Sequence, residues 1–172
     1  FCEAPAARNH AAKAIAGLLV VVPAWAAAVA LHGQAAHGHG WLLFVVLLVW
    51  CADVCAYFAG RRYGKARLAP RISPGKTVAG VYGALLGSIA FAVAAGTLLG
   101  ARGGGLAALV ALALVTVGVS IVGDLYESLI KRHSQVKDSG TLFPGHGGVL
   151  ERFNKLFAAL PVFAAGKWLL GH

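Results

Sequence analysis

The chain has 172 residues, of which 59% are hydrophobic and 12% charged, and its formal net charge is +9. A soluble domain carries about 25% charged residues, so the composition excludes a protein solvated on every side by water. Three cysteines exclude a disulfide framework as the main source of stability.

Residues 1–13 are polar and read as an N-terminal tail. The start at Phe1, with no methionine in the chain, leads to the expectation of a partial or processed sequence. Four apolar runs follow, at residues 14–31, 41–59, 78–100 and 105–123, each nearly free of charge. A helix needs roughly 20 apolar residues to cross the hydrocarbon core, so each run predicts a transmembrane helix. A fifth run at residues 156–170 is shorter, and crosses only with little tilt or else lies partly re-entrant. The expected fold is an all-α polytopic membrane bundle of about five helices, forming a single domain over residues 14–172. Cys51 and Cys55, four apart on the second helix, share a face and read as packing groups rather than metal ligands.

The distribution of charge orients the bundle. Arg61, Arg62, Lys65, Arg67, Arg71 and Lys76 crowd residues 60–76 without an acid, and Lys131, Arg132, Lys137, Arg152 and Lys155 crowd residues 131–155 beside Asp138 and Glu151. Residues 32–40 hold no Lys or Arg, and the turn near residues 101–105 holds only Arg102. Basic loops stay cytoplasmic, so both rich segments are expected on the cytoplasmic face. Orientation and attraction to anionic headgroups account for scattered Lys and Arg. They do not account for the glycines, prolines, hydroxyls and isolated acids packed among them.

Two carboxylates interrupt or end apolar runs. Asp53 lies inside the second run, where an acid costs a few kcal/mol and faces the bundle interior or a polar cavity. It reads either as a site residue or as a hydrogen-bond partner for a neighbouring helix. Asp124 ends the fourth run; if that helix persists, Ser128, Lys131 and Arg132 fall near its face. Beyond it, Lys137 and Asp138 precede a loop containing Gly145, His146, Gly147 and Gly148, followed by Glu151, Arg152 and Asn154. The glycines permit backbone N–H groups to approach an anion, the cations neutralise phosphate, and the acids suit a divalent ion. The segment Ser73-Pro74-Gly75-Lys76-Thr77 is not a Walker A loop, because the first glycine of that motif is missing.

These residues together resemble the signature of the phosphatidate cytidylyltransferases. The resemblance is carried by Asp53, the run Ala56 to Arg61, Ser73-Pro74-Gly75-Lys76-Thr77, Ser128 to Arg132, Lys137-Asp138, Pro144 to Gly148 and Arg152, in that order. It covers about residues 50–154, and the chain is expected to be a C-terminal part or a short member. The resemblance implies a multi-pass protein of the bacterial inner or plasma membrane with its active site on the cytoplasmic face. It implies CTP, phosphatidate and membrane lipid as partners, Mg²⁺ with a second, monovalent cation, and a homodimer; no nucleic-acid partner is expected.

By the same resemblance, Asp124, Lys131, Arg132, Glu151 and Arg152 are the expected catalytic residues. Asp124, Glu151 and Asn154 are the expected metal ligands. Substrate contacts are expected from Asp53, Ser73, Lys76, Thr77, Ser128, Lys137, Asp138, His146, Gly147 and Gly148, with His146 shaping the loop or meeting phosphate rather than acting as a base. Three positions depart from the family pattern: Glu151 and Asn154 stand where it has Asp, and Ala79 where it has Glu. They motivate one alternative, a catalytically impaired member that binds nucleotide or acidic lipid. A CTP-dependent kinase of a polyprenol-type alcohol is the other. A transporter is weaker, because no inverted repeat is visible.

Overall fold

Where water is absent, a backbone satisfies its own hydrogen bonds by closing into helices, and the computed structural model of the chain follows that rule. It describes residues 10–33, 38–70, 72–133 and 149–170, with the backbone alone for 10–14, 16, 130–133 and 149–154. Among the described residues there are five helices: α1 (His10–His32), α2 (Gly38–Tyr63), α3 (Val78–Leu98), α4 (Gly103–His133) and α5 (Val149–Leu169). Three spans, Gly38–Tyr63, Val78–Leu98 and Gly103–Leu129, are long and apolar enough to cross a membrane. The protein is an all-α polytopic membrane protein.

Several helices run past their apolar stretches. α4 continues through Asp124 and Ser128 to His133, and α5 begins at Val149, well before the apolar run near residue 156. Glu, Lys and Arg are good helix formers, so the helix outlasts the membrane-compatible segment. α1 likewise begins at His10, in an alanine-rich stretch that composition assigns to the tail.

The segment between α2 and α3 was not expected to hold strands. It forms a two-stranded antiparallel ribbon of β1 (Arg67–Ala69) and β2 (Ser73–Thr77). Pro74 and Gly75 are poor in helices, and the Arg67 guanidinium donates to Pro74 O at 2.5 Å, tying the ribbon across. Thr77 ends β2 and caps α3, its Oγ1 accepting from Gly80 N at 3.1 Å. At the other end of α3, Gly100 takes φ +88°. That left-handed residue lets Gly100 N bond Thr97 O and Ala101 N bond Gly96 O, closing the last turn.

α2 sits at the centre of the bundle. It touches the other four helices, and the sequence of neighbours α2–α3–α4–α5–α1 returns to α2 as a ring. Its tightest partner is α3, where Gly80, Gly83 and Gly87 approach Ala56, Cys55 and Ala59 of α2. The buried small residues Gly80, Ala84, Ser88, Ala92 and Gly96 recur at every fourth position and wind on toward α4, which Gly96 meets at Leu109. A Cβ at Gly83 would lie 2.8 Å from Cys55 O, and one at Gly87 would lie 2.8 Å from Cys55 Cβ. Close approach of this kind drives helix association where lipid tails offer no hydrophobic gain.

The first half of α2 packs rings: Phe44 lies 5.4 Å from both Phe91 on α3 and Phe163 on α5, and Trp41 lies 6.3 Å from Phe163. Buried Ser88, Thr116 and Ser120 return their hydroxyls to carbonyls of their own helices, Ala84 O, Leu112 O and Val117 O. Leu18, Leu19, Trp25, Val54, Leu86 and Val115 are exposed on the outside, as a lipid-solvated surface requires.

Candidate active site

The second half of α2 faces a cavity of about 480 Å³ closed by β2, α3, α4 and α5. From α2 it is lined by Ala52, Asp53, Ala56, Tyr57, Gly60 and Arg61. The ribbon contributes Gly75, Lys76 and Thr77; α3 contributes Gly80, Val81 and Ala84; α4 contributes Val117, Ser120, Ile121 and Asp124; α5 contributes Lys155. Small residues on α2 and α3 leave this volume open, and the ribbon delivers a lysine into it. Thr77 packs the ribbon onto α2: a Cβ at Gly60 would lie 2.8 Å from its Oγ1, and one at Gly64 would lie 2.7 Å from its Cγ2.

Four charges alternate across the cavity. Lys76 Nζ lies 2.6 Å from Asp124 Oδ2. Lys155 Nζ lies 3.8 Å from the same oxygen and 2.5 Å from Asp53 Oδ1. The order is Lys76, Asp124, Lys155, Asp53, with neighbours opposite in sign throughout. An intramembrane acid is tolerated when paired, so the alternation explains how two carboxylates reside within an apolar bundle. Asp53 lies ten residues before the end of α2, or about 15 Å at the helical rise of about 1.5 Å per residue.

Lys76 has an unusual position. Its ammonium is out of contact with solvent and, among the described residues, makes no aligned hydrogen bond. The 2.6 Å approach to Asp124 is a close ion pair whose angles fall short of an aligned hydrogen bond. An ammonium has three donors, so one close carboxylate does not exhaust it for an anion entering the cavity. At the rim, the Arg61 guanidinium donates to Tyr57 OH at 3.0 Å and is otherwise exposed.

Of the residues singled out from sequence, the fold brings Asp53, Lys76, Thr77 and Asp124 to this one cavity. Ser73 stands in β2 opposite Ala69, off the cavity wall. Ser128 also lies off it, its Oγ donating to Asp124 O at 2.8 Å, one turn back on α4. Lys131 and Arg132 occupy the last turn of α4, and Glu151, Arg152 and Asn154 the first turns of α5. Their side chains lie outside the described residues, as do Lys137, Asp138, His146, Gly147 and Gly148 entirely. Ala79 falls in the first turn of α3.

Sequence reasoning missed Lys155 as a site residue, together with Arg61, Tyr57 and Ser120. Lys155 was counted as loop charge, because the fifth helix was placed from its apolar run alone. The signal available was Asp53 itself, since a membrane-embedded acid calls for a cationic partner from another helix.

Comparison with known proteins places this cavity in context. The model of the cytidylyltransferase family matches residues 3–169, nearly the whole chain. The chain belongs to the cytidylyltransferase family. A phosphatidate cytidylyltransferase of Pseudomonas aeruginosa is 53% identical over 155 residues, covering 90% of this chain and 57% of that protein. One of Haemophilus influenzae is 47% identical over 133 residues, covering 74% of this chain and 46% of the relative. One of Staphylococcus epidermidis is 41% identical over 128 residues, covering 73% and 48%. The chain thus spans about half the length of the curated relatives it matches. Family membership and the cavity coincide: all five elements that line the cavity lie within the matched residues.

Proposed function

We propose that the chain carries the nucleotide-handling site of a phosphatidate cytidylyltransferase, which joins CTP and phosphatidate to give CDP-diacylglycerol and pyrophosphate. The observation that carries this reading is the cavity with Lys76 and Asp124 paired in its wall, in a chain of this family and beside relatives named for the activity. A phosphate oxygen of phosphatidate attacks the α-phosphorus of CTP. The bond from that phosphorus to the α–β bridging oxygen breaks, and pyrophosphate leaves. No nucleophile from the protein is needed, so catalysis reduces to alignment of two polyanions and neutralisation of their charge.

The described side chains supply parts of that task. Lys76 offers a phosphate an ammonium with donors beyond its one carboxylate contact, and Arg61 offers a guanidinium at the rim. The apolar walls from Ala52, Ala56, Val81, Val117 and Ile121 limit water around the reacting groups. The lipid keeps its chains in the bilayer while its phosphate meets soluble CTP, which requires a site near the membrane surface. The basic residues Arg61, Arg62, Lys65, Arg67 and Lys76 gather at that end of the bundle, which supports a cytoplasmic orientation in the inner or plasma membrane.

An Mg²⁺ ion held in part by Asp124 belongs to this proposal. Both described ion pairs of Asp124 go to Oδ2, which leaves Oδ1 for a hard cation, and the expected partner ligands Glu151 and Asn154 stand in the first turns of α5. Among the described residues no three potential ligands cluster, so the set depends on those two residues joining Asp124. Bound there, the ion would neutralise triphosphate charge and make pyrophosphate a better leaving group. The homodimer implied by the family resemblance is tested by the mass of the detergent-solubilised protein.

The test of the reaction is transfer of label from α-labelled CTP into lipid by detergent-purified protein with phosphatidate, with and without Mg²⁺. Metal-dependent lipid labelling with release of pyrophosphate is the expected result. Label entering lipid from the γ-phosphate instead would identify a kinase, and folded protein that binds CTP without transfer would identify an impaired member; either overturns the reading.

A further inference from the structure

Among the described residues, Lys155 is the cation of the cavity that reaches two carboxylates. Its Nζ is 2.5 Å from Asp53 Oδ1 on α2 and 3.8 Å from Asp124 Oδ2 on α4. Asp53 is 102 positions away in the chain, so the contact is a product of the fold and not of local helix geometry. Two carboxylates sharing a cavity repel, and each gains from a positive neighbour. A small metal ion between them is one solution. An ammonium is another, being a compact point charge with three donors that can serve two acceptors together.

The two lysines of the cavity are not equivalent. Among the described residues Lys76 meets one carboxylate, Asp124 at 2.6 Å, which leaves part of its three-donor capacity for an incoming anion. Lys155 is already committed, with a hydrogen bond to Asp53 and a second charge contact to Asp124. A free ion entering between the acids would meet this ammonium in its place.

We propose that Lys155 is a resident cation, taking the position between Asp53 and Asp124 that a monovalent metal ion would otherwise occupy. It acts as a positioning residue, fixing both carboxylates and so orienting Oδ1 of Asp124 toward a ligand. The monovalent ion expected beside Mg²⁺ is then unnecessary at this position. This deepens the proposed function, on which it rests for what the site does, while the cation geometry stands independently of it.

The test reads monovalent-cation binding in EDTA, without CTP or phosphatidate, so absence of transferase activity leaves its outcome intact. Full-length detergent-purified protein and the variants Lys155→Met and Lys155→Arg are compared by ⁸⁶Rb⁺ binding. Their unfolding midpoints are compared in KCl against N-methylglucamine chloride at equal ionic strength. The expected result is no saturable Rb⁺ binding by the unsubstituted protein and an equal midpoint in both salts. Lys155→Met should bind Rb⁺ saturably and gain about 3–6 °C from K⁺ at ten times its dissociation constant. Lys155→Arg, which keeps the charge, should remain indifferent to K⁺. Saturable Rb⁺ binding by the unsubstituted protein overturns the proposal. So does a folded Lys155→Met that neither binds Rb⁺ nor responds to K⁺. If Lys155→Met does not fold, the other two proteins decide: Rb⁺ binding by either one overturns the proposal, and indifference in both upholds it.

Discussion

Replacing Lys155 by Met should destabilise the protein more than replacing Lys76 by Met, while nucleotide binding should respond in the opposite order. Removing Lys76 leaves Asp124 with Lys155 3.8 Å away, whereas removing Lys155 takes from Asp53 the partner at 2.5 Å and from Asp124 its second. At an effective dielectric constant of about 20, two unit charges about 4 Å apart interact by about 4 kcal/mol before desolvation is counted. The side chains of Lys155 and Asp124 are 26% and 22% exposed, and that of Asp53 is 45% exposed, so water recovers part of any loss. Exposed pairs contribute about 0.2–1 kcal/mol and orphaned buried charges cost about 3–5 kcal/mol. A difference of about 1–2 kcal/mol between the variants lies between those limits, and corresponds to roughly 2–8 °C in the unfolding midpoint. Binding of CTP should weaken by about 10- to 150-fold on loss of the Lys76 donor, at about 1.5–3 kcal/mol for a charged hydrogen bond. For Lys155→Met the loss should stay below about tenfold, because its donors are engaged by the protein. Tryptophan fluorescence in detergent and CTP calorimetry measure the two quantities. A Lys76→Met protein that melts at or below Lys155→Met would refute the argument.

Other consequences are separable. Asp124→Asn removes the acid shared by both lysines and the first expected metal ligand, and should lower cytidylyl transfer by about 10²- to 10³-fold, read from label incorporation at saturating CTP. Thr77→Val deletes the acceptor for Gly80 N and should cost about 1 kcal/mol as a lost helix cap, seen as a lower unfolding midpoint. Gly87→Val places side-chain atoms where Cys55 already sits and should destabilise by about 1–3 kcal/mol through overpacking of α2 on α3; an unchanged midpoint would mean that the two helices can separate at little cost.

How far the sequence spoke depended on whether each residue's signal was local. Apolar runs announce membrane helices because about 20 residues without charge have few other stable forms, and the spans of α2, α3 and α4 follow from them. Asp53 and Asp124 stood out because acids are rare in such runs. The ribbon escaped notice because five residues, Ser73 to Thr77, with a proline and a glycine among them carry no alternation to mark a strand. Lys155 escaped for a different reason. Its meaning lies wholly in Asp53, 102 residues away, and on its own helix it is one basic residue in a basic segment. The small stripe at Gly80, Ala84, Ser88, Ala92 and Gly96 was legible in principle, since its spacing of four is a helical one. The apolar count concealed it, because alanine and leucine score alike there while only the smaller residue admits another helix.

The arrangement of the bundle also bears on whether it moves a solute or acts at a surface. A transport path needs polar groups near mid-depth and access from both sides. Here α2 divides along its length: Asp53, Tyr57 and Arg61 face the cavity toward one end, while Trp41 and Phe44 toward the other pack against Phe163 and Phe91. The rings bury Phe44 and Phe163 almost completely, at 2% and 0% exposure, so among the described residues packed rings, not polar groups, line that half of α2. Beyond them Lys167 lies 4.5 Å from the Trp41 ring, a contact in which the ring face receives the charge. The polar site is thus one-sided, with packed rings behind it and the basic ribbon before it. That geometry suits chemistry between a soluble anion and a lipid headgroup, because both reactants can be presented from the same face.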